Sequence, residues 1–152
     1  MGSYQEHALE SASAVDLVVA LYDGIIRFLY EASAAVERGD ESGRRAASKR
    51  ALDIIIHLQA RLRMDIGGRP AQVLSEFYAS MFALILQASV GASVQRFEEV
   101  IDCVRNLRDA WKQVAIETAL AASASPSPEA RPRVPQLAQP SGETGQISHW
   151  TA

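Results

Sequence analysis

The stretch VDLVVALYDGIIRFLY, residues 15–30, decides the fold of this chain. At about 100° per residue, its apolar side chains sweep an arc of roughly 220° around a helix. Asp16, Asp23 and Arg27 lie on the remaining polar side. An amphipathic helix that lines only one core needs an apolar arc of about 100° or a little more. The stretch therefore predicts a core helix with excess apolar surface for a second partner.

Glycines separate this helix from three others, and no sustained alternation of apolar and polar residues predicts a strand. Ser13 starts the first helix with a capping-box-like arrangement, and Gly39 suits its C-cap. Gly67-Gly68 is a helix break, and Pro70 suits the first turn that follows. The predicted helices span about residues 13–37, 41–65, 70–90 and 94–120. Four helices with short connections predict an all-α, antiparallel four-helix bundle.

The two ends of the chain lie outside the predicted bundle of residues 13–120. Residues 1–12 precede it as a short N-terminal segment. Five of the 6 prolines fall between residues 126 and 140, among Ser, Ala, Gln and Gly. A stretch of this composition has too little apolar surface to offset its ordering entropy. Residues 121–152 are therefore predicted to be a disordered tail.

Composition and charge exclude several classes of protein. A chain of 152 residues suits one domain, and a net charge of -3 with a pI near 5.6 argues against nucleic acid as the main partner. The longest apolar region carries three charges, so no membrane insertion is expected. The first ten residues lack the pattern of a secretory signal, and Cys103 is the only cysteine. We expect a cytoplasmic protein.

Residues able to carry catalysis are sparse. His7, His57 and His149 lie far apart, with no spacing that builds a metal site on a helix face. Cys103 has no identifiable neighbouring base to activate it as a nucleophile. No glycine-rich phosphate loop is present in the sequence. The sequence therefore predicts neither an enzyme nor a metal or cofactor site.

Several apolar residues lie off the core-facing stripes of the second and third helices. These are Leu52, Ile56, Phe82 and Leu86. A contiguous exposed apolar patch marks an interaction site more often than single residues do. The N-terminal segment, the tail, a second copy of the chain or a foreign protein are the alternative covers for this surface, and all four stay open at this point.

An ordered set of residues resembles the family of flagellar secretion chaperones called FliS. The resemblance covers about residues 4–115. Its most specific part is the run Leu21-Tyr22-Asp23-Gly24 with the apolar residues that follow it. The other matching residues are Tyr4, Ala12-Ser13, Ala51, Ile54, Ile55, Leu58, Gly67-Gly68, Leu74, Phe77-Tyr78, Met81 and Leu107-Arg108 with Trp111.

The resemblance implies a cytoplasmic export chaperone. FliS-like bundles bind the C-terminal region of flagellin and prevent its premature polymerisation before type III flagellar export; the export gate is a possible further partner. Tyr4 would then belong to an N-terminal segment that caps the empty groove. The predicted outward face of the first helix is Val15, Val18, Val19, Tyr22 and Ile26, and the residues predicted to form further pockets are Leu52, Ile56, Phe82 and Leu86.

Two other classes compete with this interpretation. A self-associating helical scaffold would close its excess apolar surface in a homodimer, so a monomer and a weak homodimer both stay open. A small helical enzyme would need convergent histidines or carboxylates that the spacing does not supply. For each predicted outward residue the opposing hypothesis is a place in the bundle core.

Overall fold

The computed structural model describes the backbone of residues 2–124, and the side chains from residue 13 onward except those of residues 65 and 122. Within that part of the chain all regular structure is helical, which confirms the predicted all-α class. The four helices are α1 Gly2–Arg38, α2 Glu41–Ala60, α3 Met64–Val90 and α4 Val94–Ser123.

Helices α1 and α2 run antiparallel and in close contact. Gly24 of α1 faces Ile54 of α2, and a Cβ at Gly24 would lie 3.1 Å from the Ile54 Cδ1 atom. One turn further along α1, the guanidinium of Arg50 lies 5.7 Å from the centre of the Phe28 ring. As the α1 number rises by four, the α2 number falls by four, which fixes the antiparallel direction.

Helices α1 and α4 also run antiparallel. Arg108 of α4 donates to Asp23 of α1 at 3.0 Å. Further along α1, Arg105 donates to the hydroxyl of Tyr30. Helix α1 packs most extensively with α4 and α2, whereas α3 has sparser contacts with its neighbours α2 and α4. The bundle is therefore organised around α1.

The core is continuous through the four helices. Its largest fully buried side chains are Tyr22, Phe97, Ile25, Leu29, Ile85, Ile101, Val100 and Val104. Burial of such side chains is the main favourable term in folding, at roughly 25 cal/mol per Å² of apolar surface. Because α1 supplies core residues toward more than one neighbour, the wide apolar arc of residues 15–30 belongs largely to the bundle itself.

The turn between α1 and α2 has the predicted glycine C-cap. Gly39 has a φ of +71°, a conformation that glycine adopts without strain. The N–H of Gly39 bonds to the carbonyl of Val36, and the N–H of Asp40 bonds to the carbonyl of Ala35. This pair of bonds is the Schellman pattern, which satisfies two of the last carbonyls of α1.

Two predicted helix boundaries were wrong. The first helix begins at Gly2 and not at Ser13, so Ser13 lies inside α1. Residues 3–12 contain neither proline nor glycine, so nothing in their sequence interrupts a helix. The second helix ends at Ala60, about five residues before the predicted end. The predicted tail falls mostly on residues 125–152, which lie outside the described residues, while residues 121–123 belong to α4.

Helix α3 contains the predicted break as an internal kink. Gly68 has non-helical angles of φ 58° and ψ -142°, which separate a first turn from the main helix that contains Pro70. Residues Ile66–Val90 are long and apolar enough to cross a membrane by length and composition alone. One face of this helix supplies Tyr78, Met81 and Ile85 to the core.

Candidate partner-binding groove

An apolar groove lies between α2 and α3, where the two helices pack sparsely. Its cavity has a volume of about 510 Å³. We call it the α2–α3 groove, defined by Ile55, Ile56, Gln59 and Ala60 of α2 and by Tyr78, Ala79 and Phe82 of α3. Gln59 is its only lining side chain with an amide, and Tyr78 the only one with a hydroxyl.

The sequence builds this groove from adjacent residues with different surroundings. Ile55 and Ile56 point about 100° apart around α2. Ile55 therefore packs in the core, whereas Ile56 stays 53% exposed. On α3, Tyr78 is buried and Phe82, one turn later, is half-buried. The floor of the groove is thus continuous with the core, and its rim is open to a partner.

A polar contact ties the two walls of the groove together. The side-chain amide of Gln59 donates to the hydroxyl of Ser75 across α2 and α3. Gln59 lies near the C-terminal end of α2, and Ser75 lies in the first half of α3. The contact therefore links α2 and α3 beside the apolar stretch of the groove.

The floor of the groove rests on a buried pair of tyrosines. The hydroxyl oxygens of Tyr22 and Tyr78 lie 2.6 Å apart, and Trp111 packs edge-on against Tyr22 at a centroid distance of 6.4 Å. Burial raises the pKa of Tyr22 well above its ordinary value, and the hydrogen bond to Tyr78 adds to the rise. Burial also raises the pKa of Tyr78. Both hydroxyls are therefore neutral over the physiological range.

The predicted residues of α2 and α3 fall on the groove or on its extension. Ile56 and Phe82 line it. Leu52 lies one turn before Ile56 and is half-buried, and Leu86 lies one turn after Phe82 and is exposed. Residues four apart share a helix face. Leu52 and Leu86 therefore extend the apolar surface beyond the cavity itself.

Two predicted outward residues of α1 are core residues. Tyr22 is 1% exposed and Ile26 is 6% exposed, so the expectation that they face a partner was wrong. The physical reason is the central position of α1, whose wide apolar arc is used to pack against its neighbours. Tyr22 in addition reaches α3 through its hydroxyl bond.

The three predicted valines of α1 are neither core residues nor residues of the groove lining. Val15, Val18 and Val19 are half-buried near the start of the described side chains. Tyr4 belongs to the helical backbone of α1, and its side chain lies outside the described residues. Val15, Val18 and Val19 are not among the residues that line the α2–α3 groove, and the capping role of Tyr4 stays a prediction.

Sequence reasoning missed the small residues of the groove. Ala60 and Ala79 line the cavity, but alanine is common on every face of a helix and has no distinctive pattern. Gln59 was missed for a similar reason, because an isolated amide side chain on a helix is typical of a solvent-exposed face. Ile56 and Phe82, the large apolar side chains off the core stripes, are the two predicted residues that line this groove.

The described part of the chain offers little for metal or nucleophilic chemistry. Among residues 13–124 with described side chains, no group of three His, Cys, Asp or Glu residues converges to hold a metal ion. Cys103 and His57 are both exposed. The arrangement of the α2–α3 groove is suited to binding an apolar surface.

Comparisons with known proteins identify the family of the chain. The model of the family described as "Flagellar protein FliS" matches residues 1–118. The flagellar secretion chaperone FliS of Salmonella typhimurium is 37% identical over 111 residues, which cover 72% of this chain and 82% of that protein. The FliS of Vibrio cholerae is 34% identical over 109 residues, covering 72% of this chain and 80% of its own length.

A third relative extends the similarity. The FliS of Escherichia coli is 32% identical over 116 residues, which cover 76% of this chain and 85% of that protein. The all-helical bundle and these matches define a protein of the flagellar secretion-chaperone class. The chain belongs to the FliS family of flagellar secretion chaperones, as its residue pattern predicted.

Proposed function

We propose that this chain is a cytoplasmic export chaperone that binds the C-terminal region of flagellin in the α2–α3 groove. The observation that carries the proposal is an open apolar groove of about 510 Å³ beside a helix pair that packs sparsely. An amphipathic helix binds such a groove through apolar side chains spaced three and four residues apart. While bound, that segment of flagellin is unavailable for polymerisation.

Binding in this groove is driven by apolar burial. Ile56 and Leu86 present exposed aliphatic surface, and Phe82 is half-buried before any partner arrives. Their burial contributes roughly 25 cal/mol per Å², reduced by the free energy needed to order the guest. No nucleotide is required for this step, so release falls to the export machinery.

Titration calorimetry of the full chain with a C-terminal flagellin peptide tests the proposal. We expect saturable one-to-one binding with a negative heat-capacity change, which marks burial of apolar surface. Ile56→Asp should weaken binding at least tenfold. Ile116→Asp is the matched control, because Ile116 is also 53% exposed but lies on α4. Absence of binding by the wild-type chain at high micromolar concentration would contradict the proposal.

A self-associating scaffold is the second candidate, and a separate surface favours it. Leu17 lies six residues before Asp23 on α1, and Val114 lies six residues after Arg108 on α4, so the two residues sit at the same level of the bundle. Both are exposed, as are Ile116 and Leu120 further along α4. Sedimentation at low and high concentration tests this candidate: a mass that doubles with concentration supports it, and a constant monomer mass contradicts it.

A further inference from the structure

We propose that the C-terminal stretch of this same chain, through Ile147 and Trp150, occupies the α2–α3 groove when no partner is bound. The stretch would then compete with a partner for the same groove. The competition with flagellin rests on the proposed function, whereas the docking of the stretch on the groove does not.

The groove presents apolar surface that needs a cover. Ile56 is 53% exposed, and Phe82, which lines the same groove, is half-buried. A contiguous apolar surface of this kind is usually a binding site. Since its walls are ordered helices whose floor is part of the core, the groove is preformed and loses little entropy when a segment enters it.

The chain leaves the bundle at the correct end for this docking. Helix α1 runs antiparallel to both α2 and α4, so the C-terminal ends of α2 and α4 lie at the same end of the bundle. Gln59 and Ala60 of the groove belong to that end of α2. Helix α4 ends at Ser123 on the same side.

The connecting length is more than sufficient. Between Ala124 and Ile147 lie the 22 residues 125–146. A chain of that length spans up to roughly 75 Å when extended. Neighbouring helices in a bundle are only about 8–10 Å apart. Ile147 and Trp150 therefore reach the groove without any movement of the bundle.

The chemistry of the stretch matches that of the groove. Residues 146–152, QISHWTA, contain no Asp, Glu, Lys or Arg, and the groove lining is uncharged as well. Trp150 and Ile147 supply large apolar side chains three residues apart. A buried indole N–H needs an acceptor, and the amide oxygen of Gln59 is an acceptor at the groove wall.

Attachment to the same chain makes even weak docking effective. A linker that spans its sites gives an effective concentration in the millimolar range. If the stretch fills the groove about 80% of the time, the open fraction is about 0.2 and flagellin binds about fivefold more weakly than to an unblocked groove. Trp150→Ser should therefore increase the affinity for a flagellin peptide about fivefold.

Fluorine NMR of the full chain labelled with 5-fluorotryptophan tests the docking directly. The chain has two tryptophans, and Trp150→Phe assigns their resonances. The solvent isotope shift between H₂O and D₂O reports the exposure of each ring. We expect the isotope shift of Trp150 to be clearly smaller than in the urea-unfolded chain, and to rise to the unfolded value in Ile56→Asp.

The outcomes separate the two proposals. Ile116→Asp should leave the Trp150 resonance unchanged, because Ile116 is equally exposed but lies outside the groove. A fully exposed Trp150 in the wild-type chain, or protection that Ile56→Asp does not remove, overturns the docking. Protection that disappears on dilution places the stretch on a second copy and also overturns it. If Trp150 is protected through Ile56 but flagellin peptide never displaces it, the docking stands and the proposed function fails.

Discussion

The hydroxyl groups of Tyr22 and Tyr78 form a buried hydrogen bond of 2.6 Å between α1 and α3. These residues are separated by 56 positions in the chain. The bond joins the central helix of the bundle to the helix with the sparser contacts, and Tyr78 also forms part of the groove floor. The position of the α3 wall therefore depends on a residue of α1.

Removing one hydroxyl of this pair should destabilise the bundle. Tyr22→Phe leaves the buried hydroxyl of Tyr78 without that partner, which costs about 1–3 kcal/mol. Tyr78→Phe should have a similar effect. The double Phe variant should lose less than the sum of the two single losses, and urea unfolding of the four proteins measures the coupling. Strictly additive losses would show that the two hydroxyls do not interact.

The same pair should make the fold sensitive to alkali. Burial raises the pKa of both tyrosines in the folded chain above the unfolded value near 10. A group with a raised folded pKa contributes stability that is present below its unfolded pKa and is lost as pH rises above it. The free energy of unfolding should therefore fall above about pH 10, and fall less steeply in the double Phe variant. If the free energy of unfolding falls equally with pH in the wild-type chain and in the double Phe variant, the tyrosine pair is not the cause.

A charge at the core position of α1 should unfold the bundle, which corrects the expectation drawn from the sequence. Ile26 is 6% exposed, so Ile26→Asp buries a carboxylate among apolar side chains. The expected loss is about 3 kcal/mol or more. Circular dichroism should show a lower melting temperature or a largely unfolded chain. Ile56→Asp should stay close to wild type, and an equally stable Ile26→Asp would place that side chain outside the core.

Replacing Gly43 near the start of α2 by alanine should destabilise the chain, whereas a glycine-to-alanine change inside a helix is usually stabilising. Asp40 accepts a hydrogen bond of 2.8 Å from the N–H of Gly43, which holds the pKa of Asp40 below its usual range. A Cβ at Gly43 would lie 2.2 Å from an Asp40 carboxylate oxygen. Gly43→Ala should therefore lower the melting temperature, although alanine is the better helix former by about 1 kcal/mol.

A double variant separates the helix propensity of alanine at position 43 from its clash with the Asp40 cap. In an Asp40→Ala chain, which already has a lower melting temperature, Gly43→Ala should raise it. If Gly43→Ala stabilises the otherwise wild-type chain, the Asp40 carboxylate can move away from the new Cβ, and the predicted clash is wrong.

The Asp40 cap should also make stability depend on pH. Because the folded pKa of Asp40 is depressed, the contribution of Asp40 to stability is present above the unfolded pKa and is lost as pH falls through the folded pKa. Asp40→Asn keeps a cap without that pH dependence.

Much of the fold followed from the sequence because glycines mark the turns. Gly39 has the positive φ of a C-cap, and Gly68 interrupts the regular helix before Pro70. The start of α1 could not be placed in the same way. Ser13 has the residue pattern of a cap, but the ten residues before it contain no proline or glycine to stop a helix, so the helix continues through it to Gly2.

The candidate site was only partly predictable because periodicity describes one helix at a time. Ile56 and Phe82 departed from their core stripes and do line the α2–α3 groove. Tyr22 and Ile26 gave the same signal of excess apolar surface, but that surface packs against other helices. Whether a wide apolar arc meets a partner or the bundle depends on how many neighbours the helix has, and α1 is the central one.

The most direct test of the central claim is methyl NMR of the isoleucine-labelled full chain bound to a C-terminal flagellin peptide. Ile56 and Ile116 serve as matched probes, because each is 53% exposed and they lie on different helices. Binding in the α2–α3 groove predicts nuclear Overhauser contacts from the peptide to the Ile56 methyl group and none to Ile116. Contacts confined to Ile116, with the Ile56 methyl unchanged, would contradict the account.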